Sequence, residues 1–316
     1  MIVQSAVTSY KMAKEKIEAG AKEIYLGLAI NKYKYISLNG RWRIMNGVNC
    51  QVEGTDELKR IINFAHKNDV KVLFTANMHY LRTSEEDFLD YLRIGKNCGV
   101  DYFIISNLDL ISLVTGSDLN IPIVVGTFAF MPNVGYAKMM YNMGAVRIVF
   151  PHSIQLEEIR SIKQAIPELD LEIFAHIGGG NNCGRCMMLH SPIHKDISAG
   201  CRSGYNVKTP EGETLIAYRW FDAAADCSLC RLKDLQEAGV DVLKIVGRES
   251  PNPKFNAKIT SIYVNAIKYL EQGKSLKEYY HYLDKYDLSW TMRWKPLFCE
   301  PKRCKYNPTE ITGSYV

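Results

Sequence analysis

Apolar residues recur along the chain in short, nearly continuous runs, and between them lie longer stretches with the three-to-four-residue spacing of amphipathic helices. The runs fall at 1–5, 23–27, 70–75, 101–106, 121–126, 145–150, 170–176 and 240–246. Rich in Val, Ile and Phe and with little alternation, they suit parallel strands covered on both faces. Helices are expected at 8–19, 55–67, 84–97, 107–115, 132–142, 155–165, 231–238 and 255–271. Thr55-Asp56-Glu57 and Ser84-Glu85-Glu86-Asp87 supply start signals, and Gly20 and Gly99 supply stops. Strand followed by helix, eight times, predicts an α/β fold of (β/α)8 TIM-like barrel type rather than an open doubly wound sheet.

Two segments are too long to be simple connections. Residues 28–54 follow the second strand and residues 177–230 the seventh, so both are expected at the C-terminal face, where barrels of this type build their sites. The predicted organisation is a barrel over 1–271 with a cysteine-rich insertion at 177–230. A C-terminal extension, 272–316, starts helical and continues as an ordered strap packed on the barrel.

Composition narrows the class. With 316 residues, 47% hydrophobic and 23% charged, the chain is long and apolar enough to bury a large core, which excludes a disordered tail or a disulfide-stapled miniprotein. A net charge of +5 is compatible with an anionic metabolite or RNA and demonstrates neither. No apolar run approaches a membrane span and no leader pattern opens the chain, so the expectation is a cytoplasmic protein without membrane insertion.

Nine cysteines, five of them between 183 and 230, change the picture most. An odd number without an export signal argues against a disulfide framework. Cys183-Gly-Arg-Cys186, Cys201 and Cys227-Ser-Leu-Cys230 instead point to a metal, because thiolates are soft ligands for zinc and iron. Two Cys-x-x-Cys pairs fit a structural zinc. Cys183, Cys186 and Cys201 with one cysteine of the 227/230 pair equally fit a [4Fe–4S] cluster. Cys299 and Cys304 are read as structural, with a redox pair or a further site as the alternative.

The text Glu172-x-Phe174-x-His176 followed by Gly184-Arg185-Cys186, together with Gly20-Ala21 leading to Tyr25-Leu26-Gly27 and Lys244-Ile245-Val246-Gly247-Arg248, resembles the U32 peptidase family over about 1–270. Some branches of that family are iron–sulfur, oxygen-independent hydroxylases acting in quinone biosynthesis or on RNA. The resemblance implies a [4Fe–4S] site with Cys186, Cys201 and Cys227 on family positions. Gly179 stands at the first family cysteine, which leaves Cys183 as its replacement and Cys230 as the rival fourth ligand. Where the family has a glutamate this chain has Val246.

Several residues are candidates for contact with a substrate. Lys244 and Arg248 could neutralise a carboxylate or phosphate at the end of the eighth strand, and His176 could move a proton beside the metal loop. Asn77, His79 and His152 follow the third and sixth strands, and Arg41 lies in the first long loop beside Trp42. No serine elbow with ordered partners is visible. The expected function is a [4Fe–4S]-dependent hydroxylase or oxygen-atom transferase, with prephenate as oxygen donor and an aromatic metabolite, quinone precursor or RNA as acceptor. The alternatives are a noncatalytic iron–sulfur partner in a homo- or hetero-oligomer with another U32-family protein, a U32-type peptidase, and a zinc-supported binding protein.

Overall fold

A computed structural model describes residues 1–30, 44–45, 48–77, 84–131, 133–176, 205–218, 227–247, 253–302 and 304–306. Eight parallel strands close into a barrel: β1 (Ile2–Ala6), β2 (Glu23–Leu26), β3 (Lys71–Thr75), β4 (Tyr102–Ile105), β5 (Ile123–Val125), β6 (Ala145–Val149), β7 (Asp170–His176) and β8 (Val242–Ile245). They are neighbours in chain order, and β8 closes the ring on β1 with Lys244 opposite Gln4. Each falls within, or one residue beyond, a run of apolar residues. The (β/α)8 reading is borne out.

Helices α1 (Tyr10–Glu18), α2 (Gly54–His66), α3 (Glu85–Cys98), α4 (Leu108–Thr115), α5 (Val134–Asn142), α6 (Leu156–Ala165), α7 (Leu232–Glu237) and α8 (Pro253–Glu271) accompany the strands. The expected punctuation operates in α3. Ser84 Oγ accepts the amide of Asp87, and Gly99 ends the helix with φ +93°, a left-handed conformation that glycine adopts without a Cβ penalty. The start of α2 differs: the helix begins at Gly54 after Glu53, with no side-chain cap, and Asp56 and Glu57 occupy its first turn.

Alternation along the strands divides the core in two. Ile24, Leu26, Val72, Phe74, Phe103, Ile105, Ile173 and Ala175 face the helices, while Ala6, Tyr25, Leu73, Ile104, Val124, Val149 and Phe174 form a separate layer inside the barrel. Helix α9 (Leu276–Tyr286) and a wide-turned, π-type helical strap (Trp290–Cys299) follow α8. The strap buries Trp290, Trp294 and Phe298. Within 177–230, read from sequence as loop, Tyr205–Lys208 and Thr214–Tyr218 pair as an antiparallel hairpin. Among the described residues no helix is long and apolar enough to cross a membrane.

Candidate functional site

Charged side chains that strand alternation turns inward meet inside the barrel. Arg147 on β6 makes a two-pronged contact with Glu23 on β2, Nη1 to Oε2 at 2.6 Å and Nη2 to Oε1 at 2.9 Å, and also reaches Glu172 and Asp170 at 3.3 Å. Burial opposes its charge, but the hydrogen bond to Glu23 and the charges of Glu172, Glu23 and Asp170 outweigh that cost and hold the guanidinium above its ordinary pKa. Lys244 Nζ donates to Glu172 Oε1 and to Gln4 Oε1, both at 2.6 Å, and lies 4.1 Å from the centre of the Tyr25 ring. The structure therefore brings Lys244 to a buried ion network. Glu172, fully buried, is its hub.

Asn77, two residues beyond β3, and Ser106, one beyond β4, meet at the C-terminal ends of the strands, where Ser106 Oγ donates to Asn77 Oδ1 at 2.7 Å. Gly126, one residue beyond β5, lies against both. A Cβ there would stand 2.2 Å from Ser106 Oγ and 2.5 Å from Asn77 Oδ1, so a larger residue would push these side chains aside. His152, beyond β6, stacks on Phe174 of β7 at 4.2 Å and 12°. Asn77 and His152 thus both lie at the expected end of the barrel. Ser106 and Gly126 complete this arrangement without any motif in the sequence to announce them.

Strand β7 ends on a bulge: Phe174 is opposite Lys244 but His176 is opposite Ile245. The extra residue breaks the alternation, and His176 packs on the aromatic layer of the C-terminal strap. Its ring lies 4.3 Å from Trp294, 4.6 Å from Phe298 and 5.7 Å from Tyr263. Burial pushes its pKa down to about 3, and its Nε2 has no hydrogen-bond partner among the described residues. The carbonyls loosened by the bulge are taken up elsewhere. Ala175 O accepts from Tyr263 Oη at 2.6 Å and Ser228 Oγ at 2.8 Å, and Phe174 O accepts from Lys305 Nζ at 2.7 Å.

Cys227 pairs with His176 through a short antiparallel bridge and with Cys304 through a parallel one. Its buried Sγ accepts the Leu229 amide at 3.4 Å and lies 3.6 Å from Tyr263 Oη, and burial pushes the thiol up to about 12. The Leu229 amide opposes that shift without overcoming it. The backbone of Cys227 thus meets that of His176 at the end of β7, and its buried side chain lies beside Tyr263. Among the described residues no three His, Cys, Asp or Glu groups already stand close enough together to hold an ion.

Cys183, Cys186, Cys201, Arg41, His79 and Arg248 lie outside the described residues. Gly247, between Lys244 and Arg248, has φ +117° and lies under α8. Asn256 Nδ2 donates to its carbonyl at 2.8 Å, and a Cβ would stand 2.5 Å from that same nitrogen.

A family model, Peptidase family U32, matches residues 8–294. The chain belongs to that family. It is 28% identical over 233 residues to the tRNA hydroxylation protein P of Helicobacter pylori J99, an overlap of 67% of this chain and 54% of that protein. The 23S rRNA 5-hydroxycytidine C2501 synthase of Escherichia coli K12 is 24% identical over 250 residues, covering 75% of this chain and 35% of the relative. The U32 chain therefore spans about half, or less, of the length of these curated relatives. Among solved structures, the U32 peptidase Mk0906 superposes with a TM-score of 0.49 at 13% identity, covering 79% of this chain and 94% of the other.

Proposed function

We propose that this U32 protein acts in the oxygen-independent hydroxylation of an RNA nucleoside, with a [4Fe–4S] cluster held by Cys183, Cys186, Cys201 and Cys227. One observation carries the reading: the curated relatives it matches are named for hydroxylation of tRNA or of an rRNA cytidine. Cys227 supports it from within the chain, because its backbone bridges to His176 at the end of β7, the strand that leads into the cysteine-rich segment. Cys230, exposed three residues on, is the weaker fourth ligand.

When bound, such a cluster supplies a redox or Lewis-acid centre. The chain's own residues do the rest. Asn77 and His152 border the barrel mouth with Ser106, where amide, hydroxyl and imidazole groups suit the edge of a base and the Phe174–His152 stack suits its face. Arg41, His79 and Arg248 are assigned to the same ligand, Arg248 to a carboxylate or phosphate. Prephenate, implied by the family resemblance, is the oxygen donor in this reading. Lys244 and His176 are given supporting roles: Lys244 holds Glu172 inside the barrel, and His176 braces the strap.

Two further readings remain beside it. The family description favours a peptidase, and a noncatalytic iron–sulfur subunit acting with another U32-family chain is the further alternative. Purification without oxygen, with iron and acid-labile sulfide counted per chain, is paired with mass spectrometry of nucleosides from cells with and without the gene. About four iron and four sulfide, together with loss of a nucleoside one oxygen heavier than its parent, is the expected result. An unchanged nucleoside profile removes the RNA reading. Peptide cleavage that survives chelation supports the peptidase instead.

A further inference from the structure

The start of α8 and the C-terminal strap leave a groove between them. Lys254, Phe255 and Lys258 line one wall and Leu288, Met292 and Arg293 the other, around a volume of about 660 Å³. Three of the lining side chains are cations and none is a carboxylate. Asp287, just past α9, engages Lys258 at 2.5 Å, whereas Lys254 and Arg293 are exposed and make no ion pair among the described residues. The Arg293 guanidinium stands 5.6 Å from the centre of the half-buried Phe255 ring, so a cation–aromatic pair spans the groove. Leu288 and Met292 are 77% and 73% exposed, which gives one wall an apolar surface that no other described residue covers.

The groove opens at the C-terminal end of the barrel strands. Helix α8 begins there, and Asn256 in its first turn donates to Gly247 O, two residues beyond β8, at 2.8 Å. Asn77, Ser106 and His152 stand at the same end.

We propose that this groove binds a single-stranded segment of RNA beside the nucleoside held at the barrel mouth, with phosphates on Lys254 and Arg293 and a base against Phe255 and Met292. The inference rests on the RNA reading above and adds to it a surface outside the mouth. Single strands are held where cations follow the backbone and aromatic or apolar faces receive the bases, and the groove combines the two. An acidic polypeptide would match the charge as well. Position favours RNA, because a strand whose nucleoside sits at Asn77 and His152 has to run on across the rim of the barrel.

The test titrates the full chain, as purified, against a short fluorescein-labelled single-stranded RNA, read by fluorescence anisotropy at several salt concentrations. Each phosphate contact contributes about 0.7 to the slope of log K against log salt on a single strand, so losing two should lower the slope by about 1.4. Lys254→Ala/Arg293→Ala should accordingly bind about tenfold or more weakly near 0.1 M salt. Lys22→Ala/Lys268→Ala, which removes two exposed lysines at the opposite end of the barrel, should bind like the parent. Equal affinity and slope in the parent and the groove variant overturn the proposal, and so does a parent that binds no RNA. Poly-glutamate bound by the parent in preference to RNA assigns the groove to an acidic polypeptide and overturns it as well. Should the groove variant not fold, ultraviolet cross-linking of the parent to the same RNA decides: adducts on Phe255 or Met292 are expected, and adducts confined to other parts of the chain refute the groove. Binding is read without turnover and hydroxylation from cellular nucleosides, so the two readings fail separately.

Discussion

The amide of Lys305 donates to the carbonyl of Cys227 across 2.9 Å, so residues near the end of the chain are stitched to the turn that follows the seventh barrel strand. The ammonium of the same lysine reaches Phe174 O at the strand bulge. The C-terminal strap is thereby part of the wall behind the site, and its aromatic side chains have an energetic role that can be measured.

Trp294 is 1% exposed and lies against His176, Tyr263, Trp290 and Phe298. Truncation to alanine should cost about 3–5 kcal/mol, the range for a buried large aromatic. Urea unfolding of Trp294→Ala checks this. A loss below about 1 kcal/mol would mean that the strap detaches before the barrel unfolds and adds little to global stability.

Inside the barrel, Glu172 serves Lys244, Arg147 and Gln4 at once. Glu172→Gln leaves two buried cations short of a carboxylate and should destabilise the fold by about 3–5 kcal/mol. Pairing it with Lys244→Met should return part of that loss, because the second change removes the orphaned charge. Denaturation of the two single variants and the double variant closes the cycle. Strict additivity would show that Lys244 and Glu172 do not depend on each other.

Most of the barrel was legible because parallel strands buried on both faces leave continuous apolar runs, such as Tyr102–Ile105, between helices marked by caps like Ser84 and Gly99. The places of Asn77 beyond β3 and His152 beyond β6 were legible as well, since a residue that follows a barrel strand lies at that strand's end of the barrel. What periodicity does not carry is a departure from it. The bulge between Phe174 and His176 changes which side of the wall the histidine meets, and no local residue pattern marks it. Gly126 looks like any loop glycine until Ser106 and Asn77 are folded against it. The stitching of Cys304 and Lys305 to Cys227 joins residues far apart in the chain, and no local pattern announces it.

Gly126→Ala tests the mouth directly. The new methyl would meet Ser106 Oγ and Asn77 Oδ1 inside contact distance, so both side chains must shift and their 2.7 Å hydrogen bond is expected to weaken. Overpacking of this kind costs about 1–3 kcal/mol. Ser106→Ala in the same chain should recover part of it by removing the nearer atom, and, if the proposed activity uses this mouth, nucleoside hydroxylation should stay reduced because Asn77 is still displaced. Thermal unfolding and nucleoside analysis of both variants provide the readout. A Gly126→Ala chain as stable and as active as the parent would show that the mouth yields without consequence.

Lys16 on α1 is almost wholly buried, and desolvation, opposed by the charge of Glu15, lowers its pKa from 10.5 to about 7. The unfolded chain keeps this proton up to about pH 10.5, whereas the folded chain releases it above about 7, so between those values the unfolded state binds more protons. Stability contributed through Lys16 therefore rises with pH across that window, with a slope of up to about 1.4 kcal/mol per pH unit. Below pH 7 both states are protonated and the full cost of burying the ammonium is present. Lys16→Met removes the charge at nearly constant volume. It should be more stable than the parent at pH 6 and should draw level as pH climbs toward 10. Parallel denaturation curves of parent and variant across this range measure the difference, and a gap that stays constant with pH would place the lysine's charge in water in the folded state.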